Sequence, residues 1–357
     1  MVTVSVCMIV KDEEMVLVRC LETVKSWVDE MIIVDTGSTD GTKEIARRYT
    51  DRVYDFAWRD DFAAARNFAF SKARCDYCMW LDADDVILPE DQVGFVRLKE
   101  TLDKTTDIVM LPYHIAFDAQ GNPTFSYYRE RWIANGRGHC WVGAVHEVIV
   151  PCGIVLHSDA AAVCHKKLVV RDPQRNLRIF QACLARGEEL DARQQFYYGK
   201  ELFEHGQVEQ AAQQLMQCLV RTDTWKENKI EACKLLYRCR RQCGETETAL
   251  QALLQSFWYD EPRAEICCEL GNYFLQEQAL EQAIYWYRAA LHVPHKEIAG
   301  GFVQPDFYDY VPYLQLCVCY DRLGDYETAR DYNEKAGSCK PQSQAYLQNK
   351  AYFEQLQ

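Results

Sequence analysis

Met79-Trp80-Leu81-Asp82-Ala83-Asp84-Asp85 and Ile32-Ile33-Val34-Asp35-Thr36-Gly37-Ser38-Thr39-Asp40-Gly41-Thr42 are each an apolar run that ends in carboxylates. In an open α/β sheet the ligand crevice lies beyond the carboxyl ends of the strands, so acidic residues set there face a ligand. The runs between and before them follow the same plan. Residues 2–10 are nearly all apolar, as a strand buried on both faces must be. Residues 14–27 place Val16, Leu17, Cys20, Leu21 and Val24 at helical spacing. The pattern continues with a strand over 30–35, a helix over 41–49, a strand over 52–56, a helix over 62–73 and a strand over 77–81. Such a series of βαβ units predicts an α/β domain with a mainly parallel sheet covered on both faces.

From Pro89 the pattern changes. A helix to about 103 leads into a hairpin, 108–117 and 125–133, around the turn 119–123, and a further strand is expected over 161–165. Beyond Pro173 helix formers dominate. Four segments share a Tyr, then a Gly or its replacement, then an Ala five residues on: Tyr198/Gly206/Ala211, Tyr237/Gly244/Ala249, Tyr273/Gln278/Ala283 and Tyr320/Gly324/Ala329. The Gly positions are spaced by 38, 34 and 46 residues. A period of about 34 is that of tetratricopeptide repeats, in which Gly makes the turn and the small Ala lets paired helices approach. The expectation is an α/β domain over 1–170 followed by an all-α solenoid over 171–357, with 294–312 as an insertion.

The chain has 357 residues, more than one core usually serves. Its net charge of −13 is spread evenly, with no basic cluster to release counterions from a polyanion, so nucleic acid is excluded as a partner. No stretch has the apolar length of a membrane span, and the start lacks the marks of a signal peptide, so a cytoplasmic location is expected. In that setting the 17 cysteines read as reduced thiols. The Cys75/Cys78 pair has no well-spaced partner pair for zinc.

Paired carboxylates at strand ends are the chemistry of a diphosphate bound through a divalent cation, which neutralises charge as the phosphates are buried. Asp84 can reach the metal, and Asp82 ribose or the metal's water. Asp35 can accept from a base or ribose; Asp40 is the better cap for the following helix. Arg66 and Asn67 contact pyrophosphate or base, or Arg66 pairs with Asp60 or Asp61. The aromatics Tyr128, Trp132 and Trp141 form either a sugar platform or core.

Ser5 to Glu14, Val34 to Thr42, Trp58 to Asn67 and Leu81 to Asp85, taken together and in order, resemble the inverting family 2 glycosyltransferases of GT-A fold, in the subgroup that carries tetratricopeptide repeats and includes peptide S-glycosyltransferases that modify bacteriocins. The resemblance implies a sugar nucleotide donor, UDP-linked, with Mn²⁺ or Mg²⁺, and Lys11, Asp35, Ser38, Arg66, Asn67 and Asp82 around the donor. It implies Asp84 and His165 at the metal and Glu147 as the base, with His146 as its rival. Positioned base catalysis contributes roughly 10² to 10⁴ in rate. The acceptor is a peptide or protein gripped partly by the repeats, which can equally mediate homodimerisation. Other readings remain: a scaffold with a degenerate nucleotide domain, a nucleotidyltransferase, or transfer to a glycan or lipid-linked acceptor.

Overall fold

The computed structural model describes residues 1–118, 120–168, 172–294 and 304–356. Two compact units emerge, dividing at Leu190/Asp191. The boundary falls 20 residues beyond the expected 170 because α5 (Arg175–Ala185) packs on the first unit: Phe180 stacks on His146 at 6.3 Å, and Arg175 lies over Phe62 at 4.6 Å.

In chain order the first unit holds β1 (Val4–Val10), α1 (Leu17–Val24), β2 (Glu30–Asp35), α2 (Thr42–Arg47), β3 (Val53–Asp55), α3 (Phe62–Phe70), β4 (Tyr77–Trp80), β5 (Asp85–Val86), α4 (Pro89–Thr101), β6 (Ile108–Phe117), β7 (Pro123–Ala134), β8 (Val155–His157), β9 (Val163–His165) and then α5. The strands form one nine-stranded sheet in the order β3-β2-β1-β4-β7-β6-β9-β5, with β8 on β6. The first four are parallel, as expected of βαβ units; β7 enters antiparallel between β4 and β6 and makes the sheet mixed. The short β5 and β8 give no pattern in the sequence, because two or three residues hold less than one apolar alternation.

Burial explains the register. Every residue of β1 except Ile9 is buried, and α1 lays Leu17, Cys20, Leu21 and Val24 into the same core with Trp27, Phe95 and Trp132. Trp132 is fully buried and packs beside the stacked pair Trp27 and Phe95, so it is core and not a sugar platform. Asp61 caps α3 by accepting from the Ala64 N–H at 2.9 Å, and Asp60 accepts from Trp58 Nε1, so neither pairs with Arg66. The predicted hairpin is present; Ala119 in its turn lies outside the described residues.

Among the described residues the second unit holds four antiparallel helix pairs and a final helix: α6 (Ala192–Glu204) with α7 (Val208–Val220), α8 (Lys226–Gln242) with α9 (Thr246–Leu254), α10 (Ala264–Gln276) with α11 (Leu280–His292), α12 (Tyr310–Arg322) with α13 (Tyr326–Cys339), then α14 (Gln344–Gln355). The four turn positions read from the sequence, Gly206, Gly244, Gln278 and Gly324, all have left-handed φ between 58° and 78°. Gln278 adopts it without glycine's freedom, at a cost of about 1 kcal/mol. Ala211, Ala249, Ala283 and Ala329 are fully buried where the helices of each pair meet. The unit follows the tetratricopeptide pattern. Of the expected insertion, 295–303 lies outside the described residues, while Pro312 belongs to the first turn of α12, where its missing N–H costs nothing.

No described helix is long and apolar enough to cross a membrane, and all cysteines are free thiols.

Candidate functional site

Parallel pairing of β1 with β2 and β4 brings three strand ends together. Asp35 ends β2, only 2% exposed. Its Oδ1 accepts from the backbone N–H groups of Gly37 and Ser38, both at 3.0 Å, while its Oδ2 is buried with no hydrogen-bond partner. A buried acceptor left open in this way awaits a donor from a ligand. The loop after β1, carrying exposed Lys11, is laced to the loop after β2: the Asp12 N–H donates to Ser38 Oγ at 2.9 Å, and Asp12 Oδ1 accepts from the Thr39 N–H. Ser38 thus shapes the loop that Asp35 anchors. The N-cap of α2 is Gly41, not Asp40 as the sequence suggests; Asp40, one residue earlier, accepts from the Thr42 N–H at 3.0 Å.

Arg66 is the centre of the site. It sits mid-way along α3, buried, its guanidinium carbon 4.8 Å from the ring centre of Trp80 and 5.0 Å from that of Trp141. Its Nη2 donates to Asp82 Oδ1 at 2.7 Å and its Nε to Glu147 Oε1 at 2.6 Å; Nη1 is buried without a partner. Burial pushes the Asp82 carboxyl up, but the charge and hydrogen bond of Arg66 outweigh it and hold the group down at about 2. For Arg66 burial disfavours the charge, and the two carboxylates more than restore it. One guanidinium therefore ties the strand-end carboxylate to the loop glutamate, reaching across 81 residues of chain from Arg66 to Glu147.

That loop is closed by an isolated bridge between Val142 and Val148. The Phe62 N–H donates to Ala144 O at 2.8 Å, pinning the loop to the start of α3. Asn67 holds its entry: the amide Nδ2 donates to Trp141 O at 2.9 Å and Oδ1 accepts from the Trp141 N–H at 2.8 Å. The structure thus makes Asn67 a brace for the loop, with both ends of its amide engaged there. His146 takes a left-handed φ of 52° and its ring turns to Phe180, while Glu147 turns inward to Arg66. Trp141 is buried against Arg66 with its Nε1 unpartnered; Tyr128 donates to Asp159 Oδ1.

Asp84 and His165 come together as the sequence reading expects, and Asp85 joins them: the ligating atoms of the three lie within 4.8 Å of one another. Asp85 faces His165 in the β5–β9 pair. His165 Nδ1 is 3.3 Å from Asp84 Oδ1, 3.2 Å from Asp85 Oδ1 and 2.9 Å from the Tyr113 hydroxyl. Asp85 is fully buried and also receives Tyr113 OH at 2.8 Å and Arg131 Nη1 at 3.4 Å. Burial raises the Asp84 carboxyl, with Asp82 and Asp85 adding to the rise against the pull of His165. Burial pushes His165 down, but the Asp85 hydrogen bond and the surrounding carboxylates carry it above its ordinary value. Two carboxylates and an imidazole with ligating atoms this close together fit a divalent cation of the Mg²⁺ or Mn²⁺ kind.

Behind this cluster Arg19 of α1 donates to Asp84 O at 3.3 Å and to Lys166 O at 2.6 Å, joining the backbones on either side of β5 and β9. Asp85, Tyr113, Arg131 and Arg19 escaped the sequence reading. Asp85 has a local signal, its place beside Asp84; the other three act across 28 to 147 residues and leave none.

Residues 5–152 match the glycosyl transferase family 2 profile. The chain is 29% identical over 181 residues to the lipopolysaccharide core biosynthesis glycosyltransferase LpsC of Rhizobium meliloti, covering 48% of this chain and 65% of that protein. It is 28% identical over 148 residues to the glycosyltransferase SunS of Bacillus subtilis, covering 41% and 34%. A TPR repeat-containing protein of Synechococcus elongatus is 44% identical over 104 residues, covering 29% and 25%. The matched stretches span less than two thirds of each relative. The first unit is a family 2 glycosyltransferase domain, followed by tetratricopeptide-like helical pairs.

Proposed function

We propose that the chain is an inverting, metal-dependent glycosyltransferase that moves a sugar from a UDP-linked donor to a peptide or protein side chain. The observation that carries this reading is the Asp82–Arg66–Glu147 link, which sets a candidate base beside the carboxylates suited to a cation and diphosphate.

Asp84 and His165, with Asp85 beside them, would hold the cation, which when bound supplies positive charge to the departing diphosphate. Asp35 offers its open Oδ2 to a ribose hydroxyl or base N–H. Arg66 Nη1 and Trp141 Nε1 are buried donors without a partner, available to phosphate or sugar oxygens of the donor substrate. Glu147 takes the proton from the acceptor nucleophile as it attacks the anomeric carbon from the face opposite the diphosphate. Arg66 holds that carboxylate through Oε1, fixing its position relative to Asp82. Tetratricopeptide-like repeats stack into surfaces that commonly hold peptides, which supports a peptide acceptor. The likeness to a lipopolysaccharide core enzyme favours a second reading, a glycan acceptor, on the same donor chemistry.

Incubation with a panel of UDP-sugars and Mn²⁺ or Mg²⁺ tests the reading through UDP release. Release of pyrophosphate would instead point to nucleotidyl transfer, and no release or donor binding across the panel would favour a scaffold. Peptide against oligosaccharide as competing acceptors separates the two acceptor classes.

A further inference from the structure

The end of the sheet opposite the carboxylates carries a second set of reactive side chains. Asp107 immediately precedes β6, which runs parallel to β4 through the antiparallel β7 between them, so it lies at the strand starts, away from Asp82 and Asp84. Its Oδ1 accepts from Arg137 Nη1 at 2.8 Å and its Oδ2 from the Ile154 N–H at 2.7 Å; these bonds hold its carboxyl below the usual range. Gly153, with φ of +74°, lets the chain wrap onto this carboxylate: a Cβ there would stand 2.2 Å from Oδ2. The two loops fastened to Asp107 carry His139 and Cys152.

Cys152 is exposed, and its Sγ lies 3.5 Å from His139 Nδ1. The His139 side chain is only 6% exposed, with Nε2 directed at Asp107 Oδ1 across 3.7 Å. That nitrogen is buried with no hydrogen-bond partner. Thiol, imidazole and carboxylate in this order form the arrangement that activates a nucleophile: the ring accepts the thiol proton on one side and is steadied as a cation on the other. Arg137, which fixes Asp107, also lines a cavity of about 390 Å³ together with Arg74, Lys104, Asn135 and Asp76, three cations against one carboxylate.

We infer that Cys152 is a modification site, a thiol activated by His139 and Asp107 that exchanges with low-molecular-weight disulfides carrying carboxylates. His139 Nδ1 takes the Cys152 proton and the sulfur attacks one sulfur of R–S–S–R. The reagent's S–S bond breaks as the Cys152–S–R bond forms, and R–S⁻ leaves and recovers the proton from His139. One disulfide replaces another, with no external oxidant, and added thiol reverses the step. The acidic preference comes from the basic cavity beside Arg137.

The native full chain, treated with oxidised glutathione and separately with cystamine, reports the site through peptide mass spectrometry, each rate at Cys152 being divided by that at exposed Cys243 in the same molecule. The ratio is expected to exceed about tenfold, to be larger for oxidised glutathione than for cystamine, and to fall several-fold in His139→Gln. A ratio near one in the unmutated protein would overturn the proposal without any need for the variant to fold. Equal ratios for the two reagents would overturn the assigned disulfide class, and an unchanged ratio in folded His139→Gln the role of the imidazole.

Discussion

Arg66 in the sheet unit and Arg263 in the helical unit are both buried guanidiniums clasped by two carboxylates. Arg263 sits at the start of α10, bidentate to Glu227 of α8 at 2.6 and 2.8 Å and bound to Asp260 at 2.8 Å. Its partners close on it: both oxygens of Glu227 are used, and the ion pair joins two helices of neighbouring repeats. Arg66 takes one oxygen from each of two carboxylates in separate loops and lies over two adjacent tryptophan rings. Each guanidinium leaves one buried nitrogen without a hydrogen-bond partner, Nε in Arg263 and Nη1 in Arg66, so what separates them is their surroundings. A clasp between neighbouring helices holds a fold together; one set beside a crowded cluster of carboxylates and imidazole is arranged for a ligand.

The sharpest way to break this contrast is Glu147→Gln, which keeps the shape of the side chain and removes the base. Turnover is expected to fall by about 10² to 10⁴, with donor affinity within a few-fold of the parent; unchanged steady-state turnover would sink the base assignment. Arg263→Ala leaves Glu227 buried and without this partner, so stability should fall by about 3 to 5 kcal/mol, read by urea denaturation of the full chain. Nucleotide binding to the remaining folded protein should be unaltered. Arg66→Lys retains the charge but loses the planar fork, so the lysine reaches one carboxylate at a time. Turnover should drop by about tenfold or more, with a smaller loss of stability than Arg263→Ala; the opposite ranking would make Arg66 the structural clasp. The smallest effect belongs to the repeats' own geometry. Gln278→Gly relieves the left-handed backbone and should add about 0.5 to 1 kcal/mol of stability, seen as a rise in Tm.

The two units also differ in how openly the sequence displays them. Apolar runs and the Gly-to-Ala spacing of the repeats are local signals, and β2 falls on the predicted 30–35 while all four turns fall where Gly206, Gly244, Gln278 and Gly324 mark them. Asp35, Asp82 and Asp84 stand out in the sequence because strand ends and acidic pairs are read from neighbours in the chain, whereas His165 enters only through the family resemblance; the structure brings Asp84 and His165 together. What the sequence concealed is pairing across distance. From the sequence Arg66 contacts pyrophosphate or base, or pairs with Asp60 or Asp61 nearby; in the structure its carboxylate partners are Asp82 and Glu147, and Asn67, read with it as a pyrophosphate or base contact, holds Trp141. Trp132, an aromatic in a hairpin, is told from a sugar platform only by its packing against the stacked pair Trp27 and Phe95.

The central claim, that the strand-end carboxylates form a metal-dependent donor site distinct from the base, is tested most directly by calorimetric titration of UDP in the presence of Mn²⁺ into the parent chain, Asp84→Ala and Glu147→Gln. The account predicts binding to the parent and to Glu147→Gln, and loss of the Mn²⁺-dependent binding in Asp84→Ala. Binding of UDP to Asp84→Ala as tight as to the parent, with Mn²⁺ present or absent, would contradict it.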